Sequence, residues 1–190
     1  MRAGIEENLR TFDFDRLAAV NLRVVSGDRT STGPVDRELF DQQLTAMMKA
    51  RDEGLIAGIG LSSISLEHLQ IALDRTEIAC VQNAYNLVDR TSQPVLDACM
   101  ERGIAFVPFF PLGSGFTADN PVLGHPAILR EASKRGHTPA QIALAWTLSI
   151  APNVLLIPGT SSVQHLEENT AVADIELDDE TRQHLNAIHT

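Results

Sequence analysis

Five short apolar runs, each followed by a stretch long enough to form a helix, constrain this chain more than any other feature. They lie at residues 17–25, 55–61, 78–82, 104–109 and 154–157. Strands separated by whole helices run parallel, with right-handed crossovers, and each strand-helix unit takes roughly 30 residues. The near-continuous apolar character of 17–25 predicts a strand buried on both faces, interrupted only by Asn21. Ahead of it, Ile5 and Leu9 at i, i+4 spacing read as the end of an amphipathic helix over 4–11.

The segments between the runs carry helix punctuation. Residues 35–53 place Phe40, Leu44, Met47 and Met48 along one face, with Gly54 just past the end. Ser65 is a cap for a helix carrying Leu66, Leu69 and Leu73, and a further helix over 93–102 is closed by Gly103. Thr138-Pro139-Ala140-Gln141 is a capping box with proline at the first helical position. It opens a helix that puts Ile142, Ala145, Trp146 and Ser149 on one face, where Trp146 is expected to pack. Asp178 caps a last helix through Leu185 and Ile188.

Polar, glycine-rich or aromatic residues gather where the runs end: Ser62-Ser63, Gln82-Asn83, residues 109–114 and residues 159–162. Ligand sites of parallel α/β proteins form at those carboxyl ends. The last exit is an anion-site candidate. There Pro158-Gly159 turns the chain, Thr160, Ser161 and Ser162 offer hydroxyls, and 163–169 has helical spacing, so first-turn N–H groups face outward. The plain alternative is an ordinary capped connection.

With 190 residues, 44% of them hydrophobic and 21% charged, the chain can bury one sizeable core, so one domain over 1–190 is expected. A net charge of −10 argues against nucleic acid or an anionic membrane as partner. No apolar run approaches the roughly 18 residues that span a bilayer. The start Met1-Arg2-Ala3-Gly4-Ile5-Glu6-Glu7 is too acidic and polar for a secretory signal, so a cytoplasmic location is expected. Cys80 and Cys99 form no metal motif and are expected to be buried free thiols; no metal site is expected. The sequence has two lysines, Lys49 and Lys134, and one tyrosine, Tyr85. A mechanism needing a Tyr–Lys pair must find it among those three.

Several spaced motifs in one order carry a family resemblance: Gly58-Ile59-Gly60-Leu61-Ser62, Val81-Gln82-Asn83-Ala84-Tyr85-Asn86, Pro111-Leu112-Gly113-Ser114-Gly115, Ala143-Leu144-Ala145-Trp146, and Ile157-Pro158-Gly159-Thr160 with Glu168-Asn169. From about Ile5 to Ile188 the chain resembles the C-terminal five-eighths of an aldo-keto reductase. The resemblance implies a partial (β/α)8 TIM barrel, of the α/β class, with five βα units in the places of the fourth to eighth strands and an N-terminal truncation. It also implies reduction of a small-molecule carbonyl, an aldehyde or ketone, with NADPH.

By the same resemblance, Ser62, Ser63 and Gln82 stand at the nicotinamide carboxamide, and Phe109 at the position of the aromatic that stacks on the ring. Leu112, Gly113 and Ser114 match the loop over the pyrophosphate, Gly159, Thr160 and Ser161 the ribose-phosphate site, and Glu168 with Asn169 the adenine contacts. Three positions depart from the family pattern. Ser63 replaces a frequent Asn, and His165 replaces an Arg that binds the 2′-phosphate, which leaves NADH possible beside NADPH. Asn21 replaces the His that helps polarise the substrate carbonyl; an amide still donates a hydrogen bond but cannot be protonated. The family's Asp, acid Tyr and Lys precede the part of the barrel this chain matches. Two readings follow: part of an NAD(P)H-dependent reductase, inactive as it stands, or a non-catalytic nucleotide-binding or interaction protein on a partial barrel. A barrel aldolase or isomerase would need a catalytic lysine or paired carboxylates at the strand exits, and the sequence shows neither. Oligomeric state and substrate identity are not legible in the sequence.

Overall fold

The computed structural model describes residues 1–24, 35–113 and 120–188. Four strands, β1 (Leu17–Arg23), β2 (Ile56–Ser62), β3 (Cys80–Ala84) and β4 (Ala105–Phe109), form one sheet in the order β1-β2-β3-β4. β1 pairs with β2, and β2 with β3, in parallel. The helices are α1 (Arg2–Phe12), α2 (Arg37–Asp52), α3 (Leu66–Leu73), α4 (Gln93–Glu101), α5 (Pro126–Arg135), α6 (Pro139–Ser149), α7 (Val163–Thr170) and α8 (Asp179–Asn186). A 3-10 turn covers Ala171–Asp174. The architecture is therefore α/β, with the strand-helix alternation that the apolar runs require. None of the described helices is long and apolar enough to cross a membrane.

The chain divides into two compact units, residues 1–83 with 94–106, and residues 84–93 with 107–190. In the first, β2 is the central strand and carries the core: Ile56, Ile59 and Leu61 are buried. α2 begins where the Asp36 carboxylate accepts the Leu39 N–H, and it packs Phe40, Leu44 and Met47 against the sheet. β1 differs from expectation. Ala18, Ala19, Asn21 and Arg23 are exposed and only Leu22 is buried. An unbroken apolar run is covered on both faces only when neighbours flank it, and β1 stands at one end of the strand order.

In the second unit the core is built on α6, where Ile142 to Thr147 are all buried. The Thr138–Gln141 capping box forms as its sequence predicts. α5 was not anticipated between residues 115 and 138. Its buried stripe is Ala127, Ile128, Glu131 and Ala132, too small and too polar to register as a periodic apolar face. The expected fifth strand over 154–157 is corrected: only Val154 makes a bridge, while Leu155 and Ile157 are exposed. A strand is a property of a ladder, and here the ladder ends after one residue, so the described sheet has four strands rather than five.

Candidate functional site

In the first unit the candidate residues come from the carboxyl ends of adjacent parallel strands. The register sets Asn21 beside Gly60, Gly60 beside Cys80, and Ser62 beside Gln82. Ser62 and Ser63 are both buried. Ser63 sits in the left-handed region at φ 57°, and its N–H donates to the Gln82 carbonyl at 3.0 Å. The turn is fixed from below by Asn83, which is fully buried: its side chain accepts the Ile64 N–H at 3.0 Å and donates to the Ile64 carbonyl at 2.7 Å. Sequence reasoning had placed Asn83 at the exit without a role. The only signal for it in the sequence is an amide side chain directly after Gln82 at the end of an apolar run.

Two donors at these strand ends lack partners among the described residues. The Ser63 hydroxyl is buried, at 3% residue exposure, with no hydrogen bond. Gln82 accepts from Asn21 Nδ2 through its Oε1 at 2.9 Å, and its own Nε2 has no partner. Buried polar groups are nearly always satisfied, so the unpaired Ser63 hydroxyl suits a polar ligand with acceptor oxygens, and the half-buried Gln82 amide N–H is open to the same ligand.

The second unit holds the other candidates. Phe109 is half-buried and meets the Phe110 ring edge-on at 5.2 Å. Phe110 has a φ of 57°, and Asn86 Nδ2 donates to its carbonyl at 3.1 Å while Asn86 Oδ1 takes the N–H groups of Val88 and Asp89. Gly113 has a φ of 82°, and a Cβ there would stand 2.8 Å from Asn120 Oδ1. Asn120 Nδ2 donates to the Leu112 carbonyl at 2.7 Å. Asn86 and Asn120 thus shape the loop at Phe109, Leu112 and Gly113; the sequence marks Asn86 only as a member of the Val81–Asn86 motif and gives Asn120 no signal. Ser114 lies outside the described residues.

At the last exit, Gly159, Thr160, Ser161 and His165 are exposed, and the space where a Gly159 side chain would stand is open. Thr160 Oγ1 accepts the Ser162 N–H at 3.1 Å, and Ser162 caps α7 by accepting the His165 N–H at 3.3 Å. The cap is therefore Ser162, with Thr160 bracing it. Glu168 accepts from Gln164 at 2.8 Å, and Asn169 Nδ2 reaches the Pro158 carbonyl at 3.5 Å, tying the end of α7 back to the turn.

The residues of a possible Tyr–Lys pair are placed elsewhere. Tyr85 is 1% exposed, and its hydroxyl donates to Gln93 Oε1 at 2.5 Å. Lys49 is exposed on α2 and pairs with Glu53, and Lys134 is exposed near the end of α5. A cavity of about 570 Å³ in the second unit is lined by Tyr85, Arg90, Trp146, Asp179, Arg182 and Asn186 among others. None of the candidate site residues lines it. Arg90 lies 4.7 Å over the Trp146 ring and donates to the carbonyls of Leu185 and Asn186. Trp146 Nε1 donates to Asn186 Oδ1 at 2.9 Å, so the Trp packs as expected.

The family model of the aldo/keto reductase family matches residues 1–190. Pyridoxine 4-dehydrogenase of Escherichia coli strain K12 is 42% identical over 188 residues, covering 99% of this chain and 63% of that enzyme. An aldo/keto reductase from Klebsiella pneumoniae, solved in complex with NADP and acetate, superposes with a TM-score of 0.81 at 28% identity, covering 98% of this chain and 63% of that one. A Klebsiella pneumoniae aldo-keto reductase solved with NADPH gives 0.78 at 29% identity, over 96% of this chain and 62% of its own. The chain spans less than two thirds of the length of these relatives.

Proposed function

The chain belongs to the aldo/keto reductase family, and from that premise we propose that it carries the cofactor-holding part of an NADPH-dependent reductase of aldehydes and ketones. The observation that carries the reading is the buried Ser63 Oγ, which has no partner among the described residues, beside the half-buried Gln82 amide, whose Nε2 meets none of them either. A nicotinamide carboxamide offers the acceptor they lack. In the first unit, Ser62, Ser63 and Gln82 take that carboxamide, and Asn21 keeps one N–H for a substrate carbonyl. In the second, Phe109 supplies an aromatic face, Leu112, Gly113 and Ser114 take the pyrophosphate, and Gly159, Thr160 and Ser161 the ribose phosphate. Glu168 and Asn169 take the adenine. His165 offers no bidentate fork for a 2′-phosphate, so NADH remains a usable alternative.

When bound, the cofactor supplies a hydride to the carbonyl carbon. The oxygen then needs a proton from a group whose pKa a neighbouring cation lowers. Tyr85 is buried against Gln93, and both lysines are exposed on helices, so no Tyr–Lys donor pair is assembled among the described residues. We propose that the intact form has a further N-terminal segment supplying Asp, Tyr and Lys, within one aldo-keto reductase-like domain, and that residues 1–190 alone bind cofactor without turnover. The missing acid equally favours a second reading, a non-catalytic nucleotide-binding protein.

The experiment is to titrate NADPH and NADH into the chain by fluorescence, then to follow nicotinamide absorbance with a reactive aldehyde. Binding without turnover is the expected result. Joining the N-terminal third of the Escherichia coli relative ahead of Met1 is expected to give turnover. A fusion that binds but stays inert favours the non-catalytic reading. Turnover by the chain alone overturns its inactivity, and failure to bind either dinucleotide overturns the cofactor assignment.

A further inference from the structure

One row of the sheet in the first unit is organised around a side chain that is absent. Asn21, Gly60 and Cys80 are register partners on β1, β2 and β3. A Cβ built on Gly60 would overlap Asn21 Oδ1 and come within 2.8 Å of Cys80 Sγ. The missing side chain lets the Asn21 amide lie across β2 and reach β3. There Cys80 Sγ stands 3.4 Å from Asn21 Oδ1, and Asn21 Nδ2 stands 2.9 Å from Gln82 Oε1. Gln82 follows Cys80 by two residues, on the same face of β3.

The chemistry of the three groups gives this chain a direction. A thiol is a hydrogen-bond donor and a poor acceptor, so the amide oxygen of Asn21 is the end that faces Cys80. The Asn21 nitrogen must then face Gln82, and a nitrogen donor can be met only by an oxygen. Gln82 is thereby held with Oε1 turned to Asn21 and Nε2 turned away from it, where no described residue accepts from it. Burial raises the Cys80 pKa above its ordinary value, so the thiol keeps its proton at neutral pH and remains the donor that starts the relay.

We propose that Asn21 is a positioning residue which, braced by Cys80 and admitted by Gly60, fixes the Gln82 amide so that it presents N–H donors and selects a ligand group with a carbonyl oxygen. The inference rests on the cofactor reading above. It specifies that Gln82 recognises the oxygen of a nicotinamide carboxamide and not its amino group. It adds to, and does not need, the contact of Asn21 with a carbonyl substrate.

The test uses the full chain, calorimetric titration, and two probes: NADP+ and its 3-acetylpyridine analogue, which keeps the ring carbonyl and lacks the amino group. The unaltered chain is expected to bind both within about threefold, because the shared oxygen is what Gln82 reads. Asn21→Asp is close to isosteric but can only accept, so it turns the Gln82 amide and presents Oε1. NADP+ then still has an amino group to offer, while the analogue has only an oxygen facing an oxygen. The analogue is expected to lose roughly tenfold relative to NADP+, the scale of one hydrogen bond replaced by a repulsion. General damage to the fold would weaken both probes equally and leave their ratio unchanged.

Cys80→Ala removes the donor that sets the direction without crowding the row, and is expected to shift the ratio the same way by about two- to threefold. It keeps the proposal testable if Asn21→Asp does not fold. A ratio unchanged in the folded variants, with binding by the unaltered chain intact, overturns the positioning role and leaves the cofactor reading standing. Failure of the unaltered chain to bind either probe overturns both.

Discussion

Asn83 is fully buried and satisfies both backbone groups of Ile64, which makes the left-handed Ser63 turn a consequence of one side chain. Replacing it with Leu leaves a buried N–H and a buried C=O unpaired, each worth about 1–3 kcal/mol. Asn83→Leu is therefore expected to lose about 2–4 kcal/mol in urea unfolding; a loss within about 0.5 kcal/mol would reject the role. His68 gives a pH-dependent counterpart. It is buried edge-on to Phe40 at 4.8 Å, and its Nδ1 accepts the Ser65 N–H at 3.3 Å as half of a capping box. Burial lowers its pKa below 6.5, partly opposed by the Glu67 charge. The unfolded chain then binds the proton more readily, so stability is whole above 6.5 and falls as pH drops below it. Thermal midpoints measured between about pH 7.5 and 5 are expected to decline less in His68→Gln, whose amide can still cap. An identical decline would exclude His68 as a source. The sequence offered Ser65 as the cap but not His68 as its partner, because a capping box is usually recognised by Glu or Gln at that position.

Between α5 and α8 the packing is ionic at its centre. Glu131 is buried, Arg135 Nε stands 3.7 Å from its carboxylate, and the Thr181 hydroxyl donates to Glu131 Oε2 at 3.3 Å. Arg135 also pairs with Asp178, which caps α8 through the Thr181 N–H at 2.8 Å. The Asp178 pKa is held down to about 2, first by the Thr181 N–H, then by the Thr181 hydroxyl and Arg135. Its contribution is present above the ordinary 3.8 and is lost as pH falls through about 2. Arg135→Met keeps much of the apolar stem but leaves the buried Glu131 facing only the exposed Arg130, whose Nε stands 3.9 Å away. It is expected to destabilise by about 2–3 kcal/mol in chemical denaturation, and Arg135→Met combined with Glu131→Leu to recover part of the loss. An effect below about 0.5 kcal/mol would show the pair to be incidental. At this scale sequence reading was uneven. Caps with strong signatures, Ser65, Thr138 and Asp178, stand where they were expected. The stripe of α5 escaped notice because alanines and a buried glutamate do not mark a hydrophobic face.

For the molecule as a whole, family membership and the length of the match bear differently on function. The family model covers the entire chain, yet the chain covers only 62–63% of the compared relatives. Under the proposed function, holding the cofactor and protonating the substrate oxygen fall to different parts of the intact form, so this chain retains the first without the second. The binding and turnover experiments under the proposed function address them separately. The strongly acidic balance of −10 does not oppose an anionic cofactor, because donors at strand ends and helix starts act locally and salt screens distant charge within about 8–10 Å.

The sequence by itself determined the α/β alternation, the parallel pairing and the family, since these follow from periodicity, connection length and ordered motifs, all local in the chain. It also located the strand exits to which the proposed site belongs. The tertiary structure decided which apolar runs become strands and which polar side chains remain free. Residues 154–157 have strand composition, but only Val154 forms a bridge. Gly60 looks like one glycine in an apolar run until register sets it between Asn21 and Cys80. Ladders and hydrogen bonds are made with residues far away in sequence, so neither the fate of a strand nor the direction of the Gln82 amide is written in its own neighbourhood.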